Sequence, residues 1–272
     1  MAAEMLCVIK NEDDFMKATF LEYNKPLLTA MVQETTPDEA INVILNCHYQ
    51  GAEAFCIQLE CFEKKHRNLE DLKMVFDACM GKPIYITSYR ENNSIGLTDE
   101  ECVDLLLLGC EAGATLCDVM GDAFDPQPHE LTFDEEAIRK QQIVIDKIHE
   151  MGKEVLISTH THAFLDEETI IKYALEQKRR GADVVKIVNM AETREQLCAD
   201  MNIVFRLNKE LGDTKFLFLA NGEYCRPLRQ FGAAFGVCMY LCVPSYKFRY
   251  SKEQPLLSSM KSIRDNTMFL KD

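Results

Sequence analysis

Apolar residues recur along the chain from Pro26 onward in short runs of strand length. Val, Ile, Leu and Phe are frequent in these runs, and most runs lack the strict alternation of a strand with one solvated face. This pattern is typical of strands that are covered on both faces, as in a parallel sheet. The runs span residues 26–32, 54–59, 83–87, 114–119, 154–159, 182–188, 215–220 and 236–243.

Between most of these runs lie longer segments with helical spacing. Several of them open with Thr or Asp beside acidic residues, which cap free N–H groups and meet the positive end of the helix dipole. These openings lie at residues 36–39, 98–101, 133–136 and 165–168. Glycines suited to end a helix precede most of the next apolar runs, namely Gly51, Gly81, Gly113, Gly152, Gly181 and Gly212.

Eight strands that alternate with helices predict parallel β/α units. Such units form either an open doubly wound sheet or a closed barrel. The first strand is followed by Gln33 and Glu34 rather than by a GxGxxG turn, which removes the main argument for a dinucleotide fold. Gly-Ala pairs before the second, fourth and sixth runs hint at repeated units. We therefore predict an α/β protein with a single (β/α)8 TIM barrel over residues 1–272, in which residues 1–25 form an N-terminal prelude.

Composition narrows the setting of such a barrel. A net charge of −14 argues against binding nucleic acid through its phosphates, and no apolar run approaches the length of a membrane span. The first ten residues lack a basic segment followed by an apolar run, so no signal peptide is expected. Twelve cysteines without a CxxC pair at zinc spacing indicate reduced thiols. The expectation is a cytoplasmic protein with no nucleic-acid or membrane partner.

In a barrel, functional groups collect at the C-terminal ends of the strands. A lysine, histidines and several arginines fall there, which is a cationic set in an acidic protein. It suits an anionic carbonyl substrate, with a lysine as Schiff-base amine and a histidine as proton carrier. The residues at the predicted strand ends are Gln58, Glu60, Tyr89, Arg90, Glu91, Asp118, His160, His162, Lys186, Asn221, Glu223 and the segment from Arg226 to Arg229.

Two of these features have other interpretations, which involve no Schiff base. Lys186 lies within a predicted strand of Val and Ile. Such a lysine can also extend to water or pair with a carboxylate without taking part in catalysis. His160 and His162 form an HxH pattern that can bind a divalent metal with further ligands on other strands, or that can be structural. The remaining histidines lie in helices or loops and add no obvious metal ligand.

Two stretches, residues 154–160 and 181–187, resemble type I 3-dehydroquinate dehydratase. The resemblance implies a (β/α)8 barrel in which Lys186 forms the Schiff base and a histidine of the preceding strand is its partner, without metal or cofactor. His160 matches the strand without a gap, whereas His162 matches the family's His-x-Phe, and both remain candidates with a preference for His160. Residues 222–226 resemble the family's Gly-x-x-x-Arg turn, so that Arg226 falls on the carboxylate-binding arginine, with Arg229 as the substitute if the loop is shifted.

The resemblance covers residues 26 to about 254, with departures in the substrate-binding positions. The second strand of the family usually ends in Glu-x-Arg, where this chain has Gln58 and Glu60. Arg90 fits the arginine of the third strand, but Ser94 stands where a glutamate supports the histidine. Of the family's closing Ser-Ala-Pro-Gly-Gln loop, this chain keeps the last residue as Gln254.

The resemblance implies a lyase that dehydrates 3-dehydroquinate to 3-dehydroshikimate, in the shikimate pathway or in quinate use. The expected partner is a small-molecule keto acid, and a homodimer is possible for barrels of this kind. The changes at the second strand favour one alternative, a related Schiff-base lyase or aldolase acting on another cyclic or polyhydroxy keto acid. A second alternative, from another class, is a non-catalytic barrel that binds a metabolite or a protein.

Overall fold

The computed structural model describes residues 19–90, 96–247 and 250–267. Strands and helices alternate throughout. The strands are β1 (Leu27–Val32), β2 (Ala54–Gln58), β3 (Ile84–Thr87), β4 (Leu116–Met120), β5 (Glu154–His160), β6 (Val184–Met190), β7 (Lys215–Asn221) and β8 (Met239–Cys242). The helices are α1 (Pro37–Tyr49), α2 (Leu69–Asp77), α3 (Asp99–Ala112), α4 (Glu135–Glu150), α5 (Glu167–Arg179), α6 (Arg194–Leu211), α7 (Arg226–Phe231) and α8 (Leu257–Thr267).

The eight strands form one parallel sheet in the order β7-β6-β5-β4-β3-β2-β1-β8. A hydrogen bond from Cys238 N to Phe216 O, 2.9 Å long, links the two ends of this order beside β8 and β7. The sheet is a nearly closed barrel with its helices outside, and the predicted (β/α)8 fold is confirmed. All residues of β1 to β4 are buried, because the packed interior covers one face and the helices cover the other.

The helix starts follow the sequence signals. The side chains of Thr36, Thr98, Asp134 and Asp166 each accept a hydrogen bond from the backbone N–H three residues on, which confirms the predicted caps. At the other end, Gly181 adopts φ 101°, a conformation that L side chains rarely adopt, and turns the chain back toward the sheet.

The Gly-Ala pairs end helices rather than begin strands. The N–H of Ala52, Ala114 and Ala182 donates to a carbonyl five residues earlier in the preceding helix, at 3.0 to 3.2 Å. This pairing holds the alanine in the helix C-terminal turn, so β4 and β6 begin two residues later than the apolar runs suggested. The C-terminal ends of β5 and β6 in turn extend by one and two residues, which places His160 within β5.

The described part of the predicted prelude, residues 19–25, meets the N-terminal end of the barrel. The backbone N–H groups of Phe20 and Leu21 both donate to the carboxylate of Glu154, the first residue of β5, at 3.0 Å. The Phe20 ring is buried and packs edge-on against Tyr85, with 6.4 Å between ring centroids. These contacts cover the core at the end of the barrel opposite the strand C-termini.

No helix among residues 19–90, 96–247 and 250–267 combines the length and the apolar character that crossing a membrane requires.

Candidate active site

A cavity of about 680 Å³ opens among the strands and the loops that follow them. It gathers side chains from distant parts of the chain, as expected for the C-terminal end of a barrel. Among its walls are seven of the nine residues for which the resemblance to the family predicted a catalytic or substrate-binding role: Lys186, His160, His162, Arg90, Arg229, Gln58 and Gln254. The other two, Glu60 and Arg226, lie outside the wall.

Lys186 is not at the end of its strand, since four residues of β6 follow it. Its side chain is only 5% exposed and points into the barrel. The ammonium donates to Asp118 Oδ2 of β4 at 3.0 Å, to the Tyr85 hydroxyl at 3.0 Å and to the Tyr89 hydroxyl at 2.7 Å. The three hydrogens of the amine are thus directed at three oxygens, and its charge is balanced by a carboxylate that is fully buried.

The two phenols complete a compact network around the lysine. Tyr85 and Tyr89 both donate to the same oxygen, Asp118 Oδ2, and the bond from Tyr89 is 2.6 Å long. Burial raises the pKa of both phenols well above the usual value, and the negative charge of Asp118 is the second largest cause of this increase. Both phenols therefore keep their protons at neutral pH. The other oxygen, Asp118 Oδ1, is buried and has no hydrogen-bond partner among the described residues.

His160 ends β5 and is held by a glutamate from the loop after β4. Its Nδ1 lies 2.6 Å from Glu130 Oε2, and its backbone N–H donates to the same oxygen at 3.0 Å. The imidazole is about one quarter exposed and packs edge-on against Tyr89, with 5.4 Å between ring centroids. A carboxylate on Nδ1 fixes the orientation of the ring and leaves Nε2 for proton transfer.

His162 is much less constrained than His160. Its side chain is 74% exposed, and Nε2 lies 3.9 Å from the other carboxylate oxygen of Glu130. It therefore lines the mouth of the cavity, whereas His160 contacts the network around the lysine through Tyr89.

The backbone of Glu130 adopts the left-handed conformation, with φ 49°. Burial opposes ionisation of its carboxyl, but the hydrogen bonds and the charge of His160 outweigh burial, and the pKa of Glu130 lies below its usual value. Residues other than glycine rarely adopt this left-handed conformation, and they keep it where surrounding contacts hold the backbone in place. The carboxylate is thus fixed in its ionised form beside the imidazole.

Gly121 allows the loop that carries Glu130 to approach β5 closely. Its N–H donates to Ser158 O at 2.7 Å, and a Cβ at this position would lie only 2.8 Å from Glu130 O and 2.9 Å from Ser158 O. Because both contacts are with backbone atoms, a larger residue would push the loop away from the strand. Glycine at this position is therefore a condition for the pairing of Glu130 with His160.

Arg180 anchors the same loop from behind. It follows directly after α5, and its buried side chain donates to the carbonyls of Gly121, at 2.9 Å, and of Thr132. It also donates to Gln141 Oε1 of α4 at 2.9 Å. These bonds tie both ends of the loop segment 121–132 to the helices outside the barrel.

Arg90 lies in the cavity wall with its charge already balanced. Its guanidinium pairs with Asp99 at 2.7 Å and with Asp122 at 2.6 Å. Asp122 Oδ2 in turn accepts from the backbone N–H of Gln127, a further residue of the wall. Arg90 thus braces the loop after β4 in addition to facing the cavity.

Arg229 occupies the opposite side of the cavity. It belongs to α7, is 7% exposed, and donates to Ala220 O and to Asn221 Oδ1, both at 2.7 Å. It forms no ion pair with a described residue, and burial lowers the pKa of its guanidinium, an effect that Cys225 and Glu253 counter only in part. Arg226, by contrast, is exposed, donates to Lys252 O at 2.9 Å and lies over the Tyr246 ring.

The second-strand positions also separate. Gln58 lines the cavity and its Oε1 accepts from Gln33 Nε2 at 2.6 Å, so that two neutral amides meet at the ends of β1 and β2. Glu60 is buried in a short turn after β2 and accepts from the Thr87 hydroxyl at 3.1 and 3.0 Å. Gln254 lines the cavity from the loop after β8. Glu91 and Ser94 lie outside the described residues.

Sequence reasoning gave no role to Glu130 or to Tyr85, and it named Asp118 without a role. A glutamate ten residues beyond β4 carries no local signal, because its place beside His160 depends on the path of the loop. The signals for Asp118 and Tyr85 were present, since a polar side chain in a strand covered on both faces needs an interior partner, and a buried lysine is one. Among the described residues, no three His, Cys, Asp or Glu side chains come together in a way that could hold a metal ion.

The chain was compared with known proteins. A sequence model of the family described as Type I 3-dehydroquinase matches residues 29–264. A comparison with the curated proteins finds no match. Solved structures with the same fold include 3-dehydroquinate dehydratases from three bacteria, at identities low enough that they show the fold alone.

The enzyme of Geobacillus kaustophilus is 17% identical with a TM-score of 0.75, over 88% of this chain and 90% of that chain. The type I enzyme of Clostridium difficile, solved with covalently modified comenic acid, is 16% identical with a TM-score of 0.75, over 89% and 92%. The enzyme of Aquifex aeolicus is 18% identical with a TM-score of 0.65, over 88% and 98%. With a family match over most of its length, this chain belongs to the type I 3-dehydroquinase family.

Proposed function

We propose that the protein is a hydro-lyase that dehydrates 3-dehydroquinate to 3-dehydroshikimate through a Schiff base on Lys186. The observation that carries the proposal is the meeting, in one cavity, of a buried lysine amine, a histidine oriented by a carboxylate, and a buried arginine that forms no ion pair with a described residue. Membership of the family supports the reaction class.

Substrate binding begins at Arg229. A buried guanidinium without a carboxylate is costly to keep and gains most from an anionic ligand. The planar fork of arginine suits the carboxylate of a keto acid. Arg229 rather than Arg226 takes this role in the proposal, because Arg226 is exposed and outside the wall. The ketone of the bound acid would then face Lys186 across the cavity.

In the chemical step, Lys186 Nζ adds to the ketone carbon, and loss of water from the carbinolamine leaves an iminium. The iminium draws electrons from the adjacent carbon, which acidifies its C–H bond. His160 removes that proton and delivers a proton to the β-hydroxyl, which leaves as water. Hydrolysis of the conjugated iminium then frees the enone and regenerates the amine. Glu130 keeps the imidazole in the orientation that this transfer needs.

A second candidate is a Schiff-base lyase or aldolase on a related polyhydroxy keto acid, and the amide pair Gln33–Gln58 favours it. Where the family usually presents a glutamate and an arginine, this cavity presents neutral amides, and Glu60 is turned to Thr87. A change of this kind alters which substrate hydroxyls are recognised without touching the lysine or the histidine. The third candidate, a barrel that binds a metabolite without turnover, predicts binding that survives Lys186→Ala.

The deciding experiment is borohydride trapping. The protein is mixed with 3-dehydroquinate, reduced, digested and examined by mass spectrometry, with Lys186→Met as the matched control. The expected result is a reduced adduct on the Lys186 peptide of the wild type and none on the variant. An unmodified Lys186 peptide with 3-dehydroquinate, but an adduct with another keto acid of a panel, would replace the first candidate by the second. No adduct with any keto acid would end both.

A further inference from the structure

The amine of Lys186 rests in a form that cannot attack a ketone. Its three hydrogens are directed at Asp118 Oδ2 and at the hydroxyls of Tyr85 and Tyr89, so no lone pair is free. Before Nζ can bond to carbon, a proton must leave it. Before the carbinolamine can lose water, protons must reach the oxygen of the former ketone. Formation of the Schiff base therefore needs a group that moves protons beside Nζ.

Tyr89 is placed for this task in a way that Tyr85 is not. The Tyr89 hydroxyl is nearer to Nζ, at 2.7 Å against 3.0 Å, and the Tyr89 ring packs against His160 toward the mouth of the cavity. Tyr85 is fully buried, and its ring packs against Phe20 at the closed end of the barrel. A ketone that enters from the mouth and faces Lys186 thus meets the Tyr89 hydroxyl first.

Resting on the proposed function, we propose that Tyr89 is a catalytic acid–base residue for formation of the Schiff base on Lys186. Overall, the ammonium and the ketone give the iminium and water, so the two protons that nitrogen loses are the two that the departing oxygen gains. Tyr89 carries both protons. Asp118 Oδ2 takes one proton from the ammonium, which frees the lone pair, and Tyr89 donates its own proton to the ketone oxygen as the C–N bond forms. Asp118 then returns the first proton to the phenolate. The nitrogen passes its second proton to Asp118, and Tyr89 donates again to the hydroxyl, which leaves as water while the nitrogen lone pair forms C=N. Asp118 returns this proton to Tyr89, so that the phenol and the carboxylate are both restored.

The network keeps Tyr89 ready for repeated transfers. Asp118 Oδ2 accepts from the phenol and from the ammonium, so the proton taken from nitrogen has a short path to the phenolic oxygen. The raised pKa of the phenol means that Tyr89 begins each cycle protonated. Asp118 is unchanged at the end of the sequence, and no other reactant is required.

The test separates Schiff-base formation from later steps. Wild type, Tyr89→Phe and the matched control Tyr85→Phe are each mixed with 3-dehydroquinate and quenched with borohydride at increasing times, and the adduct on Lys186 is counted by mass spectrometry. We expect Tyr89→Phe to slow adduct formation by about 10²–10⁴-fold, the usual range for an acid–base group, with the final amount and KM near wild type. Tyr85→Phe is expected to slow it far less.

The outcomes distinguish this proposal from the proposed function itself. If the wild type forms no adduct, the Schiff-base function fails. If the wild type forms it and Tyr89→Phe forms it equally fast, or if both Phe variants are slowed equally, the assignment to Tyr89 is overturned while the function stands. Incorporating 3-fluorotyrosine at position 89 keeps the shape of the ring and makes the phenol more acidic. The pH profile of adduct formation is expected to move to lower pH, and an unmoved profile also overturns the assignment.

Discussion

The cationic side chains on the two sides of the cavity have different kinds of partner. On one side, which we call the acid-paired wall, Lys186, His160 and Arg90 each contact a carboxylate, from Asp118, Glu130, and Asp99 with Asp122 respectively. On the other side, the amide wall, Arg229 is bonded to a backbone carbonyl and to Asn221, and its neighbours in the wall include Gln33, Gln58 and Gln254. The acid-paired wall comes from β3 to β6, and the amide wall from β7 round to β2.

This difference separates proton transfer from binding. A cation with a carboxylate fixed beside it can pass a proton over a short distance and is already compensated in the absence of substrate. A buried guanidinium that forms no ion pair can gain a carboxylate at contact distance from a ligand. In the proposed reaction, the acid-paired wall therefore supplies the chemistry and the amide wall holds the substrate. Substitutions on the first wall should lower kcat, and substitutions on the second should raise KM.

The largest effect is expected at His160. Replacing His160 by Gln removes the proton carrier and should lower kcat by about 10²–10⁴-fold, with a smaller effect on KM. The same change at His162 is the matched control and should leave kcat near wild type, because that side chain is mostly exposed. Steady-state assays of enone formation by absorbance compare the two. A larger loss at His162 than at His160 would assign the proton carrier to the other ring.

The ion pair of Lys186 and Asp118 should dominate stability. Asp118→Asn leaves a buried ammonium without its carboxylate, and breaking a buried pair from one side typically costs about 3–5 kcal/mol of the free energy of unfolding. The double variant Asp118→Asn, Lys186→Met removes both charges and should recover most of this loss, although it cannot form a Schiff base. Urea unfolding of the single and double variants measures the difference. A double variant no more stable than Asp118→Asn would mean that the pair does not explain the loss.

Arg229 should behave in the opposite way. Arg229→Met breaks no ion pair among the described residues but leaves the oxygens of Ala220 and Asn221 without their donor, so the free energy of unfolding should fall by about 1–3 kcal/mol, less than in Asp118→Asn. Binding of the keto acid should weaken by about 2–5 kcal/mol, the usual cost of removing one partner of a buried charge pair, which is a KM at least about 30-fold higher. Arg226→Met is the control and should leave KM nearly unchanged. If Arg226→Met raises KM more than Arg229→Met, the carboxylate binds at the other arginine.

The acid-paired wall also shows how far the sequence could lead. The barrel followed from apolar runs and helix caps, because both signals are local: the runs occur eight times, and four of the segments between them open with a cap. His160 could be found because strand ends converge in any barrel, and Lys186 because a lysine within a run of Val and Ile needs a partner in the interior. The partner of His160 could not, since Glu130 reaches it from a loop whose path depends on Gly121 and on the buried Arg180.

The arginines show a second limit. The resemblance to the family assigned the substrate carboxylate to Arg226 and kept Arg229, three residues later, as the substitute. In a helical turn such a spacing places both side chains on roughly the same face, so the exact start of α7 decides which of them enters the cavity. A helix boundary is the feature that sequence patterns locate least well, and α7 begins without a side-chain cap that would mark its start.

The smallest effect is expected in the pH dependence of stability, where the two walls also differ. The pKa of Glu130 is lower in the folded protein than its usual value, so folding favours the ionised carboxylate. Above about pH 4.3, the pKa of an unperturbed glutamate, this contribution is fully present, and it is lost as the pH falls through the lower folded pKa, because the unfolded chain binds the proton first. Glu130→Gln lacks the contribution. The variant should be less stable than wild type at neutral pH, and this difference in the free energy of unfolding should disappear in acid.

Gln254→Leu, on the amide wall, removes no titrating group, so its stability difference from wild type should not depend on pH. Urea unfolding at neutral and acidic pH measures both, and a gap for Glu130→Gln that is constant with pH would show that its carboxylate is not the stabilising partner of His160.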